Sequence, residues 1–189
     1  DVGCGFGHTL DYAKKMGWDA YGLDISAHAV EEGQRKGRNL FHTNLENAPF
    51  EDGYFDIMLM SEVIEHLTDP FHELGMAMRK LRKGGLLVVD TINIDSFFMK
   101  FLGENSAFLE AGHITYFSYR TLREMLEKAG FTVVRGYRGL EIGLGDYMKI
   151  YSETGMGPAA IGMEMLMSTL RKICVGNFCF GGISYYAHK

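Results

Sequence analysis

The chain has 189 residues, of which 47% are hydrophobic and 23% charged, a balance typical of one globular domain over 1–189. Its net charge of −5 disfavours nucleic-acid binding as the main activity, because such binding rests on neutralising phosphates. No apolar run approaches the ~20 residues that a membrane span requires. The three cysteines, Cys4, Cys174 and Cys179, lack the spacing of a zinc site, which predicts reduced thiols in a cytoplasmic protein.

A glycine-rich loop opens the chain, and alternating helices and strands follow it. The loop reads Asp1-Val2-Gly3-Cys4-Gly5-Phe6-Gly7. Such a loop normally follows a buried strand, so we expect that strand to be truncated in this sequence. The next elements predicted in chain order are a helix over 8–16, a strand over 18–24, a helix from 26 to about 37 and a strand over 39–43.

The second part of the chain continues the alternation. The apolar run 55–61 predicts a strand buried on both faces. After it come a helix over about 70–82, a strand over 86–90, a helix from 118 to 130, and strands over 131–134 and 183–187. This order predicts a doubly wound α/β sheet. Residues 93–117 break the pattern and are interpreted as a lid or insertion, and 140–174 as a substrate-side segment.

The glycine loop favours a nucleoside ligand that carries a cation and no pyrophosphate. Gly3, Gly5 and Gly7 let the backbone turn sharply and approach a ligand closely, and the acid ahead of them can accept hydrogen bonds. Loops that hold phosphates use bare N–H groups and positive charge instead. The dinucleotide pattern G-x-G-x-x-G would place its last glycine at position 8, where this chain has His8.

Asp24 adds a second signal, because an acid at the end of the second strand can bind both hydroxyls of a ribose. With it, the sequence resembles the class I S-adenosylmethionine-dependent methyltransferases, in particular the small-molecule subgroup that includes the ubiquinone-type O-methyltransferases. The stretches that carry the resemblance are DVGCGFG, YGLDIS, NLENAPFEDGYFDIMLMSEVIEHLTDP and GHITYFSYRTLREMLEKAGF. The resemblance implies a Rossmann-like α/β/α sandwich whose mostly parallel sheet has an antiparallel terminal strand. It also implies S-adenosylmethionine as cofactor and S-adenosylhomocysteine as product.

The resemblance implies cofactor contacts for eight residues, which are Asp1, Gly3, Gly5, Gly7, Asp24, Asn44, Leu45 and Ser61. The glycines would admit the cofactor, Asp1 would help hold its amino end and Asp24 would bind the ribose diol. Asn44 stands where the family commonly has an Asp that contacts the adenine amine, and its amide oxygen can still accept that bond. Leu45 would offer a backbone N–H to the ring, and Ser61 would line the methionine side. Turn chemistry is the alternative for Asn44, and a structural role the alternative for Ser61.

A catalytic base is needed only where the acceptor must lose a proton, since methyl transfer from a sulfonium depends largely on positioning. His113, expected at the mouth of the methyl pocket, is the candidate, with a structural role as its alternative. The run Glu62-Val63-Ile64-Glu65-His66 resembles the zinc motif H-E-x-x-H without its leading His. We therefore expect no metal site there and interpret His66 as a capping or packing residue.

The predicted function is methyl transfer to an oxygen, nitrogen or carbon nucleophile of a small molecule, without a nucleic-acid partner. Two alternatives stay open. One is a non-catalytic methyltransferase-like module that binds a partner. The other is a nicotinamide-dependent oxidoreductase, against which His8 argues. A homodimer is a further open alternative, since the Met- and Phe-rich segments suit either an apolar acceptor or a partner surface.

Overall fold

The computed structural model describes residues 1–96, 99–100, 109, 111–138 and 182–189. Its helices are α1 (His8–Lys15), α2 (Ala27–Arg35), α3 (Pro70–Lys80) and α4 (Tyr119–Lys128), with a 3₁₀ turn over Ile64–His66. Its strands are β1 (Gly22–Asp24), β2 (Leu40–His42), β3 (Phe55–Ser61), β4 (Leu81–Ile92), β5 (Thr132–Arg138) and β6 (Gly182–His188). Helices and strands follow one another in the predicted order. No helix of this described part is both long and apolar enough to cross a membrane.

Three helices begin directly after side chains that act as N-caps. Ser26, Asp69 and Ser118 each accept a hydrogen bond from the backbone N–H three residues further on. Each such cap satisfies a donor that the first helical turn leaves without a partner, and stabilises the helix by ~1 kcal/mol. Ser118 also forms a capping box with Thr121. The side chain of each of these two residues accepts a hydrogen bond from the backbone N–H of the other.

One sheet joins all six strands through a bridge at Val2. β1 pairs with β2 and β3 pairs with β4, both in parallel, and Val2 forms parallel bridges to Leu23 and Met60. β6 lies between β4 and β5 and is antiparallel to both. The spatial order is therefore β2, β1, Val2, β3, β4, β6, β5, which confirms the Rossmann-like sheet with an antiparallel terminal strand.

Several predicted boundaries and one burial expectation were wrong. The strand predicted over 18–24 is only Gly22–Asp24, because its partner β2 offers three residues for pairing. β4 begins at Leu81 rather than at residue 86, and a register shift separates its first pair with β3 from the rest. The strand over 55–61 has the predicted bounds, but burial on both faces fails, since Ile57 is 43% exposed.

The core lies between the sheet and the apolar faces of α3 and α4. Leu74 of α3 and Leu122 of α4 are fully buried against it. In the sheet, Leu87 and Tyr185 are equally buried. Each such side chain contributes roughly 1.5–3 kcal/mol when it leaves water. This packing fixes the sheet edge where the parallel strands β1, β3 and β4 end.

The predicted lid begins and ends at that same edge. Asn93 forms a parallel bridge with Phe117, and the N–H of Ile94 donates to the carbonyl of Phe117 at 2.9 Å. The two ends of the 93–117 segment therefore meet just beyond β4. Residues 97–98, 101–108 and 110 of this segment, and all of the predicted substrate-side segment 140–174, lie outside the described residues.

Candidate functional site

The glycine loop has the left-handed backbone that its sequence predicts. Gly3, Gly5 and Gly7 have φ values of +68°, +52° and +76°. A Cβ at Gly3 would lie 2.4 Å from Cγ2 of Val63, so the internal packing there demands a glycine. A Cβ at Gly5 would meet nothing within 4 Å. The loop is therefore closed on the side of Gly3 and open at Gly5, where a ligand can approach the backbone.

Asp24 closes the other side of this opening. Its Oδ2 accepts a hydrogen bond from the Gly5 N–H at 2.7 Å, and its Oδ1 accepts one from the Ser26 N–H, also at 2.7 Å. Both bonds fix the carboxylate at the end of β1. Each oxygen keeps acceptor capacity for a ligand hydroxyl, because a carboxylate offers about four lone-pair sites.

Asp1 and Ser61 lie on the two flanks of the loop. The carboxylate of Asp1 accepts a hydrogen bond from the Thr9 hydroxyl of α1. Ser61 is the last residue of β3 and lies in register with Asp90 of β4. Both residues thus stand at the carboxyl edge of the sheet, where ligands of open α/β sheets bind.

Asn44 and Leu45 already have partners within the protein. Oδ1 of Asn44 accepts hydrogen bonds from the backbone N–H and the Nδ2 of Asn47, at 3.0 and 2.9 Å. The Leu45 backbone is hydrogen-bonded to the Glu73 carboxylate. Burial raises the pKa of Glu73, and this hydrogen bond partly offsets the increase. A contact of either residue with an adenine ring requires that these bonds be exchanged, and the turn chemistry considered for Asn44 is present.

The charge around the loop suits a cationic ligand better than a pyrophosphate. Arg38, which is nearly buried, donates to the carbonyl of Phe6 at 2.8 Å. Its charge is compensated by Asp11, with Nη2–Oδ2 and Nε–Oδ1 distances of 2.6 and 2.9 Å. The open backbone at Gly5, the two-oxygen acceptor of Asp24 and this neutralised arginine together fit S-adenosylmethionine, whose sulfonium is positive and which has no phosphate.

A second polar cluster forms beside the loop, where β3 gives way to the 3₁₀ turn. Glu62 is the one non-glycine residue of the described chain with a positive φ, at 53°, and its N–H donates to the Asp90 carbonyl at 3.0 Å. Desolvation of its carboxyl group, a hydrogen bond with Glu65 and the charge of Asp90 raise the pKa of Glu62 to about 8. Strained backbone of this kind concentrates at functional sites.

His113 lies against this turn, although it is far from it in sequence. The Glu65 carbonyl accepts hydrogen bonds from the N–H groups of Ile114 and Thr115, at 2.8 and 3.0 Å. The His66 and His113 rings meet edge to face, with centroids 4.7 Å apart. One potential ligand atom from each of Glu65, His66 and His113 lies within 4.8 Å of the others. Sequence reasoning named His113 and Glu65 separately and missed their convergence, because it compared the run from Glu62 to His66 with a zinc motif carried on one helix.

The family model described as "Methyltransferase domain" matches residues 1–135. The chain belongs to the class I S-adenosylmethionine-dependent methyltransferases. A probable S-adenosylmethionine-dependent methyltransferase of Mycolicibacterium smegmatis is 30% identical over 135 residues, 70% of this chain and 51% of the relative. The ubiquinone biosynthesis O-methyltransferase of Bradyrhizobium sp. is 36% identical over 100 residues, 49% of this chain and 39% of the relative. The match thus spans about half or less of these two relatives.

Solved structures of this methyltransferase class share the fold. A methyltransferase from Archaeoglobus fulgidus matches with a TM-score of 0.70 at 22% identity, covering 100% of this chain and 84% of that one. Phosphoethanolamine N-methyltransferase 2 of Haemonchus contortus, solved with S-adenosyl-L-methionine, matches with a TM-score of 0.67 at 16% identity, covering 100% of this chain and 47% of that one. At these identities the likeness establishes the Rossmann-like methyltransferase fold alone.

Proposed function

We propose that the protein is an S-adenosylmethionine-dependent methyltransferase that transfers a methyl group to an oxygen, nitrogen or carbon nucleophile of a small molecule. The observation that carries this proposal is the opening between Gly5 and Asp24. There an unobstructed backbone faces a carboxylate fixed by two hydrogen bonds of 2.7 Å. That pairing suits a ribose lying against a glycine turn. Membership of the methyltransferase family supports the same ligand.

When bound, the cofactor supplies a methyl group on a positively charged sulfur. The residues of this chain bind and orient it. Asp24 accepts hydrogen bonds from the ribose hydroxyls, and Asp1 and Ser61 contact the methionine part from the two flanks of the loop. Asn44 and Leu45 contact the adenine after exchanging their present partners. Holding donor and acceptor in one geometry replaces a costly bimolecular encounter, which accounts for much of the rate of such displacements.

The acceptor binds on the side of His113, beyond the carboxyl end of β3. The ends of the 93–117 segment meet there, and its proposed lid function would exclude water from the reacting groups. The His113 ring lies among His66 and Tyr116, 4.7 and 5.8 Å away between centroids. An acceptor hydroxyl or amine could lose its proton to an imidazole there. A cytoplasmic location and a small-molecule acceptor without nucleic acid belong to the same proposal.

An assay with a methyl-labelled donor tests the proposal. The full chain is incubated with labelled S-adenosylmethionine and a panel of small hydroxyl, amine and activated-carbon acceptors, beside the variant Asp24→Asn. The expected result is label in one acceptor class with the parent protein and a loss of at least tenfold in kcat/KM with the variant. If the parent protein binds S-adenosylhomocysteine but labels no acceptor in the panel, the non-catalytic binding module becomes the better account.

A further inference from the structure

We propose that Glu65, His66 and His113 form a binding site for a divalent transition-metal cation beside the methyl-transfer site. Their ligand atoms already lie within 4.8 Å of one another. Two imidazoles and one carboxylate are donors that first-row transition metals accept together. This inference replaces the expectation of no metal. That expectation rested on the missing first histidine of a helical zinc motif, whereas here the second histidine comes from a different segment.

Glu65 supplies the first independent observation. Its side chain is 1% exposed, and within the described residues neither carboxylate oxygen accepts a hydrogen bond from an N–H or a hydroxyl group; its hydrogen-bonded neighbour is the carboxyl group of Glu62. Burying a carboxyl group away from any cation is costly, so such groups are usually paired with a positive charge or coordinate a metal. One of its oxygens lies within 4.8 Å of a ring nitrogen of each histidine, so a cation bound among the three side chains meets this requirement.

The orientation of His66 supplies the second observation. Nδ1 of His66 lies 2.9 Å from the carbonyl oxygen of Gly112. A carbonyl can only accept, so Nδ1 carries the proton and donates it, which leaves Nε2 as the nitrogen that can bind a metal. Histidines that bind metals typically donate the other ring N–H to a carbonyl or carboxylate, which fixes both tautomer and ring orientation.

The backbone holds the two halves of the cluster together. Besides the bond from His66 to Gly112, the N–H groups of Ile114 and Thr115 donate to the carbonyl of Glu65. These three bonds flank His113 on both sides and fix it to the 3₁₀ turn. Preorganised ligands of this kind reduce the entropy that a cation must overcome on binding.

Further carboxyl groups lie around the same point. Glu62 is hydrogen-bonded to Glu65, and Asp90 acts on Glu62 through its charge. A bound divalent cation would be the strongest local charge among these three carboxyl groups. Glu62, with its φ of 53°, lies two residues before the 3₁₀ turn that carries Glu65 and His66.

The site adjoins the glycine loop through Val63, whose side chain packs against Gly3. Resting on the proposed function, this position indicates that the cation contacts the acceptor. It would favour an oxygen acceptor and lower the pKa of a bound hydroxyl. Under this inference His113 is a metal ligand, and the base role considered for it lapses.

Cobalt titration of the full chain after treatment with a chelator tests the site without any methyl acceptor. The expected result is a visible d–d absorption that saturates at about one Co²⁺ per chain, together with a higher melting temperature, because only the folded chain presents the site. Zn²⁺ added afterwards should displace Co²⁺ and abolish the band. Loss of either histidine or of the carboxylate should weaken binding at least ~10- to 100-fold, the range seen even for residues that only support ligands.

Three variants and one control complete the test. Glu65→Gln and His113→Gln should abolish the saturable band, as should His66→Gln. His72→Gln, at an exposed position of α3, should leave it unchanged. Absence of a saturable band in the parent protein, or a band that survives both Glu65→Gln and His113→Gln, overturns the inference. S-adenosylhomocysteine binding measured on the same samples separates this result from the proposed function, because the glycine loop and Asp24 lie outside the metal cluster.

Discussion

The backbone N–H of Gly5 donates a hydrogen bond to Oδ2 of Asp24 across 2.7 Å. This bond joins the centre of the glycine loop to the end of β1, although the two residues are separated by α1. It holds an acceptor of ligand hydroxyls at a fixed distance from a stretch of backbone that carries no side chain. The candidate cofactor site depends on this relationship, and the first two predictions test its two partners.

Gly5→Ala should weaken S-adenosylhomocysteine binding at least ~10-fold, because its Cβ would enter the open space over the loop. Gly17→Ala is a matched control. Gly17 also has a positive φ, +77°, and a Cβ added there would meet nothing within 4 Å, but this residue follows α1, away from the site. Both variants should lose about 1–2 kcal/mol of unfolding free energy from backbone strain. Calorimetric titration and thermal denaturation measure the two effects, and equal ligand affinities in the two variants would count against the site.

Asp24→Asn should reduce affinity for S-adenosylhomocysteine ~10- to 100-fold. The amide has a single acceptor oxygen, whereas the carboxylate serves Gly5, Ser26 and the ribose at once, and hydrogen bonds to a charged group contribute about 1.5–3 kcal/mol. Asp19→Asn, an exposed position before β1, is the control and should bind as the parent does. Isothermal titration gives both affinities. A variant at Asp24 that binds normally would remove the ribose role from this residue.

The ion pair behind the loop predicts a pH dependence of stability. The hydrogen bond from Arg38 lowers the pKa of Asp11 below its ordinary value of 3.8. A lowered pKa in the folded state means that the ionised carboxylate stabilises the fold above that ordinary value, and that this stabilisation disappears as the pH falls through the folded pKa. The parent protein should therefore melt above Asp11→Asn at pH 5–7, with the difference closing below about pH 4. A difference that persists unchanged at lower pH would contradict the assignment.

Tyr185→Phe tests the packing of the antiparallel strand. Tyr185 of β6 is fully buried, and its hydroxyl donates to the Tyr119 carbonyl at 2.6 Å, so strand and α4 are joined at that point. Removing the hydroxyl should cost about 1 kcal/mol of unfolding free energy. Tyr12→Phe, at a ring 59% exposed on α1, should change it by less than ~0.5 kcal/mol. Urea denaturation gives both values. Equal effects would mean that the hydroxyl of Tyr185 is not bonded as described.

Local sequence signals predicted the elements, and long-range pairing decided their limits. Ser26, Asp69 and Ser118 cap helices because capping depends on residues within one turn. The length of β1 could not be predicted in the same way, since the short partner β2 limits it. Nor does any local pattern place β6 between β4 and β5, because that position results from pairing with residues as far away as Leu86, which pairs with His188.

The candidate site likewise contains residues that local sequence signals reveal and residues that only long-range contacts bring together. Gly5 and Asp24 could be recognised because a glycine turn and a strand-terminal acid are themselves the signals. The convergence of Glu65 and His113 could not, since it requires the hydrogen bonds that join the 3₁₀ turn to the segment around Gly112. The sequence shows the Glu65-His66 pair and, far from it, His113, but it contains no signal that these residues meet in the fold.

Calorimetric titration of the full chain with S-adenosylhomocysteine and, separately, with NAD tests the account most directly. The open backbone at Gly5, the Asp24 carboxylate and the compensated charge of Arg38 predict saturable binding of S-adenosylhomocysteine and no measurable binding of NAD. Binding of NAD without binding of S-adenosylhomocysteine would contradict the account.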